Sequence, residues 1–247
     1  MSMMDVAAYT FKEIFTTVLL MFYVLCLSNC NTDMVKNGTS GLSKVFWWTN
    51  VKCVVIGDDG VGKTCLLISY TRLNTTSTAT KNNTFPVELE PSVFDNHTAH
   101  VVMGENKTVA VSLCDTAARE DYDHWRLRTY TDADVVLVCF SLLDANSLHN
   151  VKCKWIPELR KHCRRIPFVL VGTKSDLRND SRISSDGISN TVNIEEVLSM
   201  ADEVKAEEYV ECSALTQEGL SEVFEEAVRV ALIRKAVKKK KSTCQIL

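Results

Sequence analysis

The chain has 247 residues, of which 46% are hydrophobic and 24% charged, the length and make-up of one good-sized globular domain with appendages. Its formal charge of −3 conceals an asymmetry: seven basic and no acidic residues lie from Arg229 onward, leaving 21 basic against 31 acidic residues, a net −10, in residues 1–228. An acidic body with a basic tail argues against nucleic acid as a partner and for an anionic membrane surface.

The first fifty residues contain an uncharged apolar run, Ile14 to Leu27, shorter than the ~20 residues that span a bilayer as a helix but suited to a signal-peptide core. Asp5, Lys12 and Glu13 do not make the basic flank of such a signal, so a short membrane anchor and an extension without a separate fold stand beside that reading. The next element is the apolar run Val51 to Ile56, a buried strand. It leads into Gly57-Asp58-Asp59-Gly60-Val61-Gly62-Lys63-Thr64, which fits the phosphate-loop pattern G-x-x-x-x-G-K-[ST] in full. Glycines let the backbone curl, and a helix carrying Leu66, Leu67 and Ile68 begins at once, so successive N–H groups and the helix N-terminus point at one anion. Lys63 is placed to reach the outer phosphates as a point charge, and the Thr64 hydroxyl to bind magnesium.

From Val51 onward apolar strands alternate with helical segments, the pattern of an α/β fold with a mainly parallel sheet covered on both faces. Ala99 to Met103 and Thr108 to Cys114 flank the turn-like Gly104-Glu105-Asn106-Lys107 and predict a hairpin adding one antiparallel strand. Val135 to Phe140 and Phe168 to Val171 are continuous apolar runs, as central parallel strands are. Ile194 to Ala206 has helical spacing, Tyr209 to Cys212 reads as a short strand, and Leu220 to Val237 as an amphipathic closing helix, giving six strands in all. Of the ten cysteines, Cys53, Cys114, Cys139 and Cys212 fall in or at the end of these apolar runs, where cysteine acts as a small hydrophobe. No C-x-x-C pair offers a metal site, and a disulfide framework is disfavoured.

Further sites sit at strand ends. Asp115 closes a strand and opens Asp115-Thr116-Ala117, where a carboxylate can hold a magnesium-bound water against the phosphates. Thr173-Lys174-Ser175-Asp176 follows the strand ending at Gly172 and suits guanine: the Asp176 carboxylate can accept from the ring N1–H and the exocyclic amine, while the Lys174 stem lies along the base. Ser213-Ala214-Leu215 follows the last strand, with a backbone N–H available to the guanine oxygen.

These motifs occur in order, together with Pro91-Ser92-Val93-Phe94-Asp95-Asn96, Glu120-Asp121-Tyr122-Asp123, Cys139-Phe140-Ser141, Glu211-Cys212-Ser213-Ala214-Leu215 and a C-terminal prenylation box. On them the chain, from roughly Val51 to Leu247, resembles the Ras-superfamily small GTPases, and within them the Rho/Rac branch. The resemblance implies a P-loop NTPase small G domain over residues 51–237, with a mostly parallel six-stranded sheet, one antiparallel edge strand and helices on both faces. It implies GTP or GDP with Mg²⁺ as ligands: the backbone of residues 59–65 (Asp59, Gly60, Val61, Gly62, Lys63, Thr64 and Cys65) around the phosphates, Thr64 and the switch I hydroxyl of Ser92 on the metal, and Asp115 supporting it through water. Phe85 matches the aromatic packed against guanine, and Thr173, Lys174, Asp176, Ser213, Ala214 and Leu215 surround the base. Such proteins are switches whose two loops are ordered by the γ-phosphate and released after hydrolysis. Effector proteins, an exchange factor and a dissociation inhibitor are the implied partners, in actin and cell-shape signalling.

Departures from the family pattern concern hydrolysis. Asp59 stands where the Rho pattern has a glycine, adding bulk and negative charge near the γ-phosphate, so arginine-finger help worth roughly 10³ to 10⁵ in rate is expected to be mostly lost. Arg119 replaces the glutamine that orients the attacking water, and a guanidinium cannot accept a hydrogen bond from it. Ala118 replaces the glycine whose N–H meets the γ-phosphate, which keeps the N–H and restricts φ. Ser92 replaces a threonine, and Leu89 a tyrosine over the phosphates. An Asp59–Arg119 ion pair across the site is a competing expectation.

Thr71 to Thr84 forms an insertion about ten residues longer than the family's connection, rich in Thr and Asn. Arg178 to Thr191, where Rho proteins carry an extra helix, contains Ser184-Ser185-Asp186-Gly187, poor helix formers. The tail, residues 238–247, joins Lys238–Lys241 to Cys244-Gln245-Ile246-Leu247, a C-a-a-X box whose final Leu predicts geranylgeranylation of Cys244, with the lysines as the second anchoring signal; an unlipidated basic tail is the alternative. The implied location is the cytoplasmic face of the plasma membrane or an endomembrane, with a cytosolic pool. The expected function is a membrane-tethered Rho-like switch with very slow hydrolysis. Beside it stand a normally cycling GTPase and a nucleotide-free scaffold.

Overall fold

The computed structural model describes residues 50–74, 94–103, 107–178 and 191–243. Phe85, Leu89, Ser92 and Cys244, the N-terminal segment up to residue 49, and most of the Thr71–Thr84 and Arg178–Thr191 segments lie outside the described residues.

Chain order is β1 (Asn50–Gly57), α1 (Lys63–Asn74), β2 (Phe94–Met103), β3 (Lys107–Thr116), a 3₁₀ turn (Glu120–Tyr122), α2 (Asp123–Thr129), β4 (Val135–Ser141) and α3 (Ala145–Asn150). A π-helical turn (Val151–Trp155) then carries α3 into α4 (Ile156–His162), followed by β5 (Phe168–Thr173), a 3₁₀ turn (Ser175–Leu177), α5 (Ile194–Val204), β6 (Glu208–Cys212) and α6 (Leu220–Thr243). The six strands lie in the order β2-β3-β1-β4-β5-β6, with β2 antiparallel to β3 and every other pairing parallel. This is the sheet of a small G domain.

The strands' two-residue period divides the interior into two cores. Val51, Cys53 and Val55 of β1, Val135, Leu137 and Cys139 of β4, and Val169 and Val171 of β5 face α1 and α6. Their alternates Val54, Ile56, Val136, Val138, Phe140, Phe168 and Leu170 face α4 and α5. Because helices cover both faces, these strands read as unbroken apolar runs. Tyr70 of α1 stacks on Phe224 of α6 at 3.8 Å between centroids, joining the two helices of the first face. Burial leaves the cysteine thiols of the strands unreactive: it pushes the Cys212 thiol up to about 12.

Several elements exceed their predicted bounds. The β2–β3 ladder runs from Phe94 opposite Thr116 to Met103 opposite Lys107. Only one face of this edge hairpin is covered, with Ala99 and Val101 buried and His100 and Val102 exposed, so polar residues extend it beyond its apolar stretch. α6 continues past Val237 to Thr243, because no glycine or proline follows Leu220 and alanine and lysine are good helix formers. No helix among the described residues is long and apolar enough to cross a membrane.

Candidate functional site

All the described motif residues converge at the carboxyl edge of β1, β3, β5 and β6. Gly60 and Gly62 have φ of +72° and +100°, and a Cβ added to either would meet nothing within 4 Å. The loop therefore turns its backbone toward an open concavity, a shape that suits a bound anion. Lys63 is buried, and its Nζ donates to the carbonyls of Gly57 at 2.9 Å and Asp58 at 2.7 Å, folding the loop over the side chain. Burial lowers the Lys63 pKa, so a nearby polyanion that favours the ammonium form is a well-matched ligand.

The Thr64 hydroxyl donates to Asp115 Oδ2 at 2.6 Å, and Asp115 is 1% exposed at the end of β3. A hydroxyl and a carboxylate brought together beside a phosphate-sized concavity form a hard-oxygen donor set, the kind that Mg²⁺ takes. The neighbouring Thr116 hydroxyl donates to the Val55 carbonyl at 2.6 Å, pinning β3 to β1 at this point.

Next to the loop lies a cleft of about 290 Å³, lined by Gly62, Cys65, Leu66, Thr173, Lys174, Asp176, Leu177, Cys212, Ala214 and Leu215. Its walls are held by hydrogen bonds rather than chance contact. The Thr173 hydroxyl bridges the carbonyls of Val61 (2.6 Å) and Phe140 (2.9 Å), tying the base-side loop to the phosphate loop and β4. Lys174 takes a left-handed backbone (φ 61°) that sends Nζ back to the Gly60 carbonyl at 2.8 Å, laying its stem along the cleft. Ser213 is fully buried, and its Oγ accepts from the Thr216 N–H at 3.0 Å, shaping the turn that presents Ala214 and Leu215. Beneath this turn Arg178 forms two bonds to Glu211, at 2.6 and 2.8 Å, and Tyr209 donates to the same carboxylate at 2.6 Å. Cys65 is half-buried in the wall, and burial raises its thiol pKa.

Arg119 is exposed, with its Nη2 3.3 Å from Asp121 Oδ2 two residues away. Instead of the competing Asp59–Arg119 pairing, Arg119 pairs within the turn that it precedes, where the 3₁₀ backbone at Glu120–Tyr122 sets the two side chains together. Asp59 and Gly60 are both exposed at the loop's outer face. Ala118 is buried, and its carbonyl accepts from Lys154 Nζ at 3.4 Å.

Sequence reasoning missed a second set of residues. Asp58 is clamped by Trp155, whose Nε1 donates at 2.8 Å, and by Asn150, whose Nδ2 donates at 2.6 Å. Asn150 ends α3 and Trp155 closes the π-helical turn that follows it, so the turn spans the two donors, and π turns recur at functional sites. On the same helix Glu158 receives Arg126 Nε at 2.9 Å, Arg126 Nη2 at 2.8 Å and Tyr130 OH at 2.6 Å, while Arg126 also donates to the Ala117 carbonyl at 2.9 Å and contacts Asp123. Arg126 and Lys154 lie over the Trp155 ring, 5.0 and 4.7 Å from its centroid. Burial pushes the Glu158 carboxyl up, but the hydrogen bonds from Arg126 and Tyr130 outweigh it and leave its pKa below the usual carboxylate value. One helix therefore braces both the phosphate loop and the segment after Asp115.

A glycine-lined anion cradle, a buried lysine, a hydroxyl–carboxylate pair and a walled apolar cleft at one sheet edge define a P-loop nucleotide-binding domain of the small G-domain type. Matching against family models assigns residues 52–233 to the Ras family, and the chain belongs to that family. It is accordingly a small GTP-binding signalling protein of the kind that binds GTP or GDP with Mg²⁺ and works through effectors and exchange factors.

Proposed function

We propose that the chain is a Rho/Rac-like switch that stays mostly GTP-bound because its pocket is poorly equipped for hydrolysis. The observation that carries this is Arg119, exposed and paired with Asp121, at the position from which a family member's glutamine orients water. A guanidinium only donates, so the attacking water gains no acceptor there. Asp59, exposed on the outer face of the loop, puts a carboxylate where an activating partner's arginine would enter, and would pair with it or repel the γ-phosphate.

In this proposal the backbone of residues 59–65 and Lys63 hold the phosphates, and Thr64 and Ser92 hold Mg²⁺ with Asp115 behind a water. The Ala118 N–H meets the γ-phosphate. Phe85, Thr173, Lys174, Asp176, Ser213, Ala214 and Leu215 enclose guanine. Mg²⁺ would supply charge neutralisation between the phosphates; the protein supplies position and exclusion of solvent. Geranylgeranylated Cys244 with Lys238–Lys241 tethers the domain to the cytoplasmic face of a membrane, and effectors dock on the switch loops in actin and cell-shape signalling.

Single-turnover GTP hydrolysis tests the reading. The wild-type chain should show a slow rate that a Rho-type activating protein scarcely changes, and the double variant Asp59→Gly/Arg119→Gln should regain stimulation of about 10³-fold or more. Strong stimulation of the wild-type chain would refute it.

A further inference from the structure

At the end of the sheet opposite the nucleotide cleft lies a second groove, of about 270 Å³, between the segment entering β5, the segment entering β6 and the second half of α6. Arg165, Glu207, Arg229, Ile233, Arg234 and Val237 line it. The arginines differ in what they have left to offer. Arg229 is engaged by Glu226 and Glu208, at the far side of the groove. Arg165 is exposed and forms no ion pair among the described residues. Arg234 is partly buried, and its Nη1 is enclosed without a hydrogen-bond partner. That nitrogen has given up water and found no hydrogen-bond acceptor, while Asp134 and Glu207 lie near enough to attract the guanidinium; an incoming anion would supply the acceptor that Nη1 lacks.

Two features give the anion's identity. Ile233 and Val237 are 54% and 48% exposed beside these arginines, an apolar strip next to cationic forks. The helix that carries them runs on without a break to Thr243, so its backbone register continues from Arg234 through residues 238 and 241 on the same side. A helix with basic residues and flanking apolar residues is the arrangement that lies on a charged bilayer surface. We propose that this groove binds the phosphorylated headgroup of an anionic lipid, with Arg165 and Arg234 gripping a phosphate monoester and Ile233 and Val237 resting against the acyl boundary. The contact fixes how the domain stands on the membrane. It is independent of lipid attachment at Cys244 and of the GTP assignment.

The test uses the unlipidated full-length chain and flotation with three vesicle compositions: phosphatidylcholine alone, with phosphatidylserine, and with phosphatidylinositol bisphosphate, the last two at equal surface charge. Wild-type protein should favour the phosphoinositide vesicles by about tenfold. Arg165→Glu and, separately, Arg234→Gln should remove that preference while guanine-nucleotide binding is retained. Replacing Lys238–Lys241 with Gln should weaken binding to both anionic vesicles and leave the ratio between them. Binding that follows surface charge alone, or a preference that survives Arg165→Glu or vanishes with the lysines, would overturn the proposal. So would soluble inositol trisphosphate bound as tightly as the vesicles and unaffected by Ile233→Ser, because the groove would then serve a free solute.

Discussion

Asp58 occupies a position that the phosphate-loop pattern leaves open, yet its carboxylate is the acceptor for both Trp155 and Asn150. Asp58→Ala leaves an indole N–H and an amide without their partner in a half-buried place. We expect a loss of about 2 kcal/mol in urea unfolding, with Asp58→Asn costing less because it keeps one acceptor oxygen. Thr64 acts at the same scale. Its hydroxyl, 2.6 Å from Asp115, is one of two oxygens suited to a hard cation. In the wild-type chain, chelating Mg²⁺ should speed release of a fluorescent guanine nucleotide; in Thr64→Ala release should be fast already and respond little to the chelator. An unchanged chelator response would remove Thr64 from the metal site.

Among the elements, α4 and the π-helical turn before it hold the loop after Asp115 in place through the Arg126–Glu158 pair. Arg126 is 1% exposed, so Glu158→Gln, which removes a charge opposite a buried guanidinium, should cost about 3 kcal/mol. The sign of its pH dependence follows from the Glu158 pKa, which lies below the ordinary 4.5. A depressed carboxylate contributes stability that is fully present above the unfolded value and is lost as pH falls through the folded one. The gap in urea midpoint between wild type and Glu158→Gln should hold from neutrality down to about pH 5 and close at lower pH. On the other face, Phe224→Ala removes the ring stacked on Tyr70 and should destabilise by about 3 to 4 kcal/mol, with nucleotide affinity little changed. Strand positions were legible in the sequence because both sheet faces are covered, which turns β1, β4 and β5 into continuous apolar runs. The hairpin ends and the last turns of α6 were not, since an edge strand tolerates polar residues and a helix stripped of apolar residues carries no periodic signal.

For the molecule as a whole, the nucleotide edge could be read from sequence because its groups are local: the phosphate loop, the Asp115 turn, the Thr173–Asp176 turn and the Ser213 turn are each contiguous. The fold brings the phosphate loop, the Thr173–Asp176 turn and the Ser213 turn around one cleft, with Asp115 reaching the phosphate loop through Thr64. The braces could not be read, because Asn150 and Trp155 lie 92 and 97 residues from Asp58, and Arg126 looks like any surface arginine until the fold buries it beside Glu158. Nor does spacing tell where an exposed Arg119 turns; the neighbouring Asp121 decides that. We propose that this domain captures GTP and hydrolyses it very slowly. The most direct check is to extract and chromatograph the nucleotide carried by the full-length chain purified from cells. GTP should predominate; GDP as the main nucleotide would contradict impaired hydrolysis.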